Sequence, residues 1–426
     1  MPPQRPVEPL QIRPIDPDSE ALAAFVALQQ LVFGYEPAPS PERVSAIREA
    51  TGHHRRTAAF DGDGTLVATY RSYDTSLTVP GGTVTANAIS SVTVRPTHRR
   101  RGALTALITA DLAEAAARGL PVAILIASEA AIYGRFGFAP ATLGATWEVD
   151  LPAAQLRPGV RREGSVEIVP EAALRDLAPA AYERSRRPGA IDRTDDWWDR
   201  SLGISPRPGE QHTPAIGVVH RDPGGVVQGF ARYSAKPHWE ARLTQTWLTV
   251  HDLVAATPDA HAALWGYLLE QDLASGVRAE DLAVDDPLPW LLTDGRRARL
   301  TSRSDFQWSR LLDVPAALSA RRYEGPAGTV RFAVDDPLGW AAGRYTLAVD
   351  ATGAGTCVRD QPAAAGPAAD PAVTLDVAAL SSCWLGGGDL LAAAMAGQTT
   401  EHVPGAVAAL ASMLRTARAP WTSTWF

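Results

Sequence analysis

The chain has 426 residues, of which 46% are apolar and 20% charged. That is a globular composition, long enough for two or three domains. Its 35 glycines and 34 prolines, about 16% of the chain together, exclude a collagen-like or low-complexity protein. The 40 basic and 47 acidic residues give a net charge of −7, which argues against a basic nucleic-acid binder.

Lys236 is the only lysine, a bias that fits a GC-rich coding sequence. The two cysteines, Cys357 and Cys383, have no CxxC or His/Cys spacing, so no metal site is expected. They read as two buried free thiols in a reducing compartment. The stretch MPPQRPVEPLQIRP has no apolar core, and a secretory leader is not expected. The apolar run PVAILIA at 121–127 is too short to span a membrane. The expectation is a soluble, cytoplasmic protein with no membrane partner.

A helix is predicted through EALAAFVALQQLVF, with Asp18 or Ser19 as its N-cap. A second follows SPERVSAIREAT, with Ser40 as cap, Pro41 at the first position and its end near Gly52. The period then changes to strands: TAAF, the turn DGDG, TLVATYRSYDTSLTV, the turn PGG and TVTANAISSVTVRP. THRRRGALTALITADLAEAAARG reads as an amphipathic helix and PVAILIA as a buried strand. SEAAIYGRFGF is a short helix ending at glycines, and ATLGATWEVD is a last strand.

The middle third repeats this order loosely. Helices near 171–184 and 194–202 precede IGVVH, and VVQGFARYSA follows the turn RDPGG. ARLTQTWLTVHDLVAAT enters the helix DAHAALWGYLLEQDLA through TPDAH. No arginine-rich loop stands at that junction, so any anion site there is expected to be lost. From about Asp313 the texture becomes strands joined by Gly/Pro turns, with a Pro/Ala stretch at 362–372 and short helices. The end, APWTSTWF, carries Trp421, Trp425 and Phe426. A disordered tail rarely carries such residues, so it is expected to be docked.

The strongest chemical signal is Arg99-Arg100-Arg101-Gly102-Ala103 between a strand and a helix. A helix N-terminus offers unpaired N–H groups and a positive dipole end, and arginines add charge-assisted hydrogen bonds to phosphate. His98 beside it reads as a loop residue rather than a base. Cys383, in SSCW, has no activating partner in sequence.

The stretch Val92–Ala103, VTVRPTHRRRGA, resembles motif A of the GNAT acetyltransferases. Arg99 and Gly102 match the R/Q-x-x-G-x-G/A signature, whereas Leu104 departs from it. Together with Ser128–Phe138, SEAAIYGRFGF, and with PGAIDRTDDWWD and the terminal Phe, the chain resembles the Eis (enhanced intracellular survival) acetyltransferases over nearly its whole length.

The resemblance implies a mixed α/β (α+β) chain of two fused GNAT-like regions and a sterol-carrier-protein-like region. The expected extents are 1–150 for acetyl-CoA binding, 151–312 for a degenerate second GNAT, and 313–426 for the last. It implies acetyl-CoA as cosubstrate, with Val92 and Val94 on its acetyl and pantetheine parts. Arg99, Arg100, Gly102 and Ala103 would lie on the pyrophosphate, and Ser128 would also contact the cosubstrate. It implies Tyr133 as general acid and the α-carboxylate of Phe426 as base or anchor. It further implies direct acetyl transfer to aminoglycoside-like polyamines, or to lysines of proteins or peptides, and a homo-hexamer.

Elementary chemistry qualifies two roles. Tyrosine (about 10) protonating a thiolate (about 8.5) is uphill by about 2 kcal/mol. An α-carboxylate near 3.5 taking a proton from an ammonium near 10 would cost about 8–9 kcal/mol, so anchoring is the better role unless burial raises its pKa. Phe33, Tyr35, Trp197 and Trp198 are candidates to line the acceptor pocket, and Asp195, Asp196 and Glu401 to meet its ammonium groups. Two rival readings are a lipid-binding module with a vestigial acetyltransferase half and, less well supported, a nucleic-acid regulator.

Overall fold

A computed structural model describes residues 10–35, 38–361 and 370–426. Most of the Pro/Ala stretch expected at 362–372 lies outside them.

The first helix, Ala21–Phe33, starts without a side-chain cap. Ser19 is diverted, because its hydroxyl donates to the Asp16 carbonyl at 2.7 Å. The second helix, Pro41–Thr51, is capped as expected: Ser40 Oγ accepts from the Arg43 N–H.

Seven strands form the first sheet. Their order is Gln11–Pro14, Arg55–Phe60, Leu66–Val79, Gly82–Val94, Val122–Ile126, Gln307–Leu311 and Ala139–Pro140. Alternation sends successive side chains to opposite faces. Ala123 and Leu125 pack with Leu107, Ile108 and Leu112 of the helix Ala103–Ala117. Val122 and Ile124, with Ala86 and Ala88, face Phe332, Leu375 and Leu380 of the last third. One sheet therefore carries a helix on one face and the C-terminal unit on the other.

A second seven-stranded sheet contains Ala298–Asp305, Leu143–Asp150, Gly276–Leu282, Trp247–Ala255, Val227–Ala235, Ile216–Arg221 and Ser165–Pro170, in that order. The sheets exchange strands. Leu143–Asp150, read in sequence as the last strand of the first region, pairs with Gly276–Leu282 and Ala298–Asp305. In return Gln307–Leu311 pairs with Val122–Ile126. Local pattern identifies a strand but not its partner. At the junction corresponding to the arginine loop, Thr257 caps the helix Pro258–Leu269 by accepting from the Ala260 N–H.

The last third holds a five-stranded sheet, ordered Gly355–Arg359, Gly343–Val349, Gly328–Asp335, Val373–Asp376 and Thr399–Glu401. Arg310, fully buried on the exchanged strand, donates from Nη2 to both carboxylate oxygens of Asp336, at 2.9 and 2.7 Å. That pair ties the first sheet to the C-terminal unit.

Candidate active site

Strands Gly82–Val94 and Val122–Ile126 run parallel and pair from Ala86–Val122 to Ile89–Leu125. Beyond that point Ser91 takes a left-handed φ of +56°, unusual for a side-chain-bearing residue. The register with Leu66–Val79 shifts at the same place, between Thr69 and Arg71. A parallel pair that stops pairing leaves backbone groups for another partner. Val92 and Val94 follow this bulge, half-buried against the cluster that holds Leu125 and Tyr133.

The helix Ala103–Ala117 begins directly after the arginines. Arg100 (φ +63°) and Gly102 (φ +84°) are left-handed, and no side chain caps the helix. Its first intrahelical bond runs from the Ala106 N–H to the Gly102 carbonyl. The earlier N–H groups are therefore without intrahelical partners. A Cβ placed on Gly102 would meet nothing within 4 Å, so the approach is open. Arg99, Arg100 and Ser128 are exposed and Ala103 is buried. These features fit the pyrophosphate and pantetheine of acetyl-CoA. His98 is engaged elsewhere, with Nε2 3.4 Å from Asp61.

Tyr133 ends the short helix Ala130–Tyr133 and is 5% exposed. Its ring meets Phe138 edge-on at 6.2 Å. Burial, and after it the Glu129 carboxylate, pushes the phenol up to about 12. It is therefore a protonated hydroxyl at neutral pH. Both cysteines are buried and free, and burial pushes each thiol up to about 12. Neither is a thiolate at neutral pH.

The tail is docked. Thr422 and Thr424 are buried. The buried Arg193 guanidinium donates to Thr424 Oγ1 at 3.0 Å and Ser423 Oγ at 2.9 Å, and pairs with Asp252 at 2.6 Å. Trp197 Nε1 donates to the Trp425 carbonyl at 3.1 Å. Trp421 Nε1 donates to the Asp281 carbonyl at 2.8 Å. Phe426 packs edge-on to Tyr73 at 6.4 Å, and Tyr73 in turn stacks on His54 at 4.2 Å.

This docking brings Trp425 and Phe426 into a cavity of about 420 Å³, shared with Phe25, Phe33, Tyr35 and Ser91 of the first region. Five arginines also line it: Arg43, Arg56, Arg71, Arg200 and Arg207. Burial pushes Arg71 down to about 10, and the neighbouring Arg56 and Arg200 push the same way. Arg207 is likewise lowered to about 10 by burial and then by Arg200.

Of the residues expected in the acceptor pocket, Phe33 and Tyr35 line this cavity, while Trp197 serves the tail and Trp198 is core. Tyr133 is not among the lining residues. The suggested carboxylates are used elsewhere. Asp195 pairs with Arg175, Asp196 with Arg207, and Glu401 accepts from the Val407 N–H. The five arginines had no sequence signal. They are scattered from position 43 to 207, and only folding collects them.

Models of an acetyltransferase (GNAT) domain match residues 11–141 and 189–311, and a sterol carrier protein domain model matches 314–423. An uncharacterized N-acetyltransferase of Streptomyces avermitilis is 41% identical, over 87% of this chain and 88% of its own length. N-acetyltransferase Eis of Mycobacterium tuberculosis is 36% identical over 72% of this chain and 76% of its own. The crystal structure of Eis1 from Mycobacterium abscessus superposes with a TM-score of 0.82 at 33% identity, covering 98% of this chain and 100% of that one. With its parallel pair interrupted at the Ser91 bulge, its open helix start and its three domains in this order, the chain belongs to the Eis-type GNAT N-acetyltransferases.

Proposed function

We propose that the chain transfers acetyl directly from acetyl-CoA to an amine, with Tyr133 as general acid and the Phe426 α-carboxylate as anchor of the acceptor. The observation that carries this reading is the docked C-terminus, which brings the last residue of the chain into a cavity bordered by the Ser91 bulge. A tail ordered by hydrogen bonds from the buried Arg193 to Ser423 and Thr424 costs conformational entropy that a tail without a task need not lose.

Acetyl-CoA supplies a thioester acetyl group. Arg99, Arg100, Gly102, Ala103 and Ser128 would hold its pyrophosphate end. The backbone of Val92 and Val94 would hold the pantetheine and acetyl end. Tyr133 keeps its proton until negative charge develops on the departing sulfur. From a phenol near 12, donation to a thiolate of about 8.5 costs about 5 kcal/mol, within reach of a preorganised site. The Phe426 carboxylate orients the amine; the proton that the amine must lose leaves to water. As the new C–N bond forms and C–S breaks, the sulfur receives the Tyr133 proton.

The family resemblance carries an aminoglycoside-like polyamine or a protein lysine as acceptor, and a homo-hexamer as the assembly. Light scattering of the full chain reads the assembly. CoA-thiol release with an aminoglycoside, a lysine peptide and an arylalkylamine, each checked for the acetylated product by mass, reads the reaction. Turnover of at least one amine is expected. No turnover with any of them, from folded protein that binds acetyl-CoA, would favour a binding module.

A further inference from the structure

Among the described residues, the lining of the cavity that receives Phe426 suits an anion better than a polycation. Asp and Glu are absent from its described lining, whereas five arginines contribute to it. Arg43 and Arg200 share Glu210, and Arg207 pairs with Asp196. Arg56 and Arg71 have no carboxylate partner among the described residues. Arg56 donates to the His54 carbonyl and to Thr51 Oγ1, and Arg71 to Ser90 Oγ. Among the described residues, these five guanidinium groups meet two side-chain carboxylates, Glu210 and Asp196.

The hydrogen-bonding account is also open. Nε of Arg43, Arg71 and Arg207 is buried without a partner among the described residues. Those atoms are sealed from the cavity, whereas an unpaired buried charge is costly unless a counter-ion meets it. A guanidinium is a planar fork suited to carboxylate and phosphate. The pyrophosphate arginines do not explain this cluster, since Arg99, Arg100 and Arg101 are absent from the cavity lining. Phe25, Phe33, Tyr35 and Trp425 supply aromatic surface beside the charge.

Resting on the acetyltransferase reading, we infer that the acceptor is an amine carrying an anionic group, carboxylate or phosphate, on an aromatic or apolar body. Arg71 and Arg56 bind the anion, and the Phe426 carboxylate meets the amine at the other end. One molecule then satisfies both signs of charge in a cavity of about 420 Å³. Arg71 is thus a specificity-determining residue. A polyamine would instead place several ammonium groups among guanidinium groups in a partly desolvated site.

The test uses a matched pair of probes, tyramine and tyramine O-phosphate, with neamine as the polycation. Each is titrated calorimetrically into the full chain saturated with CoA, so that the arginine loop is already engaged. The expected result is that the phosphate probe binds tighter than tyramine by about tenfold or more, the scale of a charge-assisted pair. The preference should fall below about threefold in Arg71→Met and persist in Arg71→Lys, which keeps the cation. Tyramine or neamine binding as tightly as the phosphate probe would overturn the inference. So would a preference unchanged in Arg71→Met, or no binding of the phosphate probe. CoA-thiol release in parallel separates the two claims. Acetylation of neamine alone contradicts the anionic acceptor while the transferase stands. Tight binding of the phosphate probe without acetylation of any amine contradicts the transferase while the anion selectivity stands.

Discussion

Arg193 Nε donates to Thr424 Oγ1 at 3.0 Å, joining a residue of the middle region to one near the end of the chain. The same guanidinium pairs with Asp252 and lies over the rings of Tyr182 and Trp197, with centroid distances of 4.2 and 4.0 Å. It is the pin that fixes where Phe426 goes.

Replacing Arg193 by Met should therefore do two things. It leaves Asp252 buried without its partner, a loss of about 3–5 kcal/mol. It also frees the tail. Denaturant titration should show the lost stability. CoA-thiol release should fall even at temperatures where the variant is still folded. A fall in stability with full activity would show that tail docking is not needed for transfer.

Tyr133→Phe should lower kcat by about 10²–10⁴, the range for a positioned acid, with little change in the KM for acetyl-CoA. The phenol of the intact protein, at about 12, stays protonated through neutral and mildly alkaline pH. The rate should then rise with pH as the acceptor amine loses its proton, with no descending limb below about pH 10. A descending limb near pH 8 in the intact protein would assign the acid to another group.

His54, stacked on Tyr73 at 4.2 Å, is held neutral, its pKa lowered from 6.5 to about 2 by burial first and then by Arg71, His53, Arg56 and Arg55. The unfolded chain binds this proton more readily than the folded one. Its contribution is therefore complete above pH 6.5 and is lost progressively as the pH falls towards 2. His54→Phe keeps an aromatic ring against Tyr73 and removes the titration. Thermal melts between pH 7 and 5 should be flatter for the variant than for the intact protein.

Gly102→Ala meets no steric obstacle, since the added Cβ has open space, but the residue sits at φ +84°. The variant should lose about 1 kcal/mol of stability. Its KM for acetyl-CoA should rise more than its KM for the amine. Equal rises would separate this turn from cosubstrate binding.

Much of this arrangement is legible in the sequence. The Arg99–Ala103 loop and the aromatic tail announce themselves locally, through a strand-to-helix junction and apolar residues near position 426, whereas Tyr133 stands out only through the family resemblance. The Ser40 cap and the occupied turn at Thr257 are local too. What escapes is non-local. Leu143–Asp150 reads equally well as a strand of either sheet, because its alternation is satisfied in both. The arginine cavity draws Arg43 from a helix, Arg56 and Arg71 from strands and Arg207 from a loop. No spacing links them. That Asp195, Asp196 and Glu401 are engaged by Arg175, Arg207 and the Val407 N–H is likewise decided by folding, not by local spacing.

If the Phe426 carboxylate anchors the acceptor, its position matters for transfer, and one added residue shifts it. A chain extended by a single glycine after Phe426 keeps Arg193, Thr424 and the aromatic packing but moves the charge by one residue. Measured by CoA-thiol release against the best amine found, kcat/KM for the amine should fall by about 100-fold or more, with the melting temperature nearly unchanged. An unchanged kcat/KM in the extended chain would remove the C-terminus from the site.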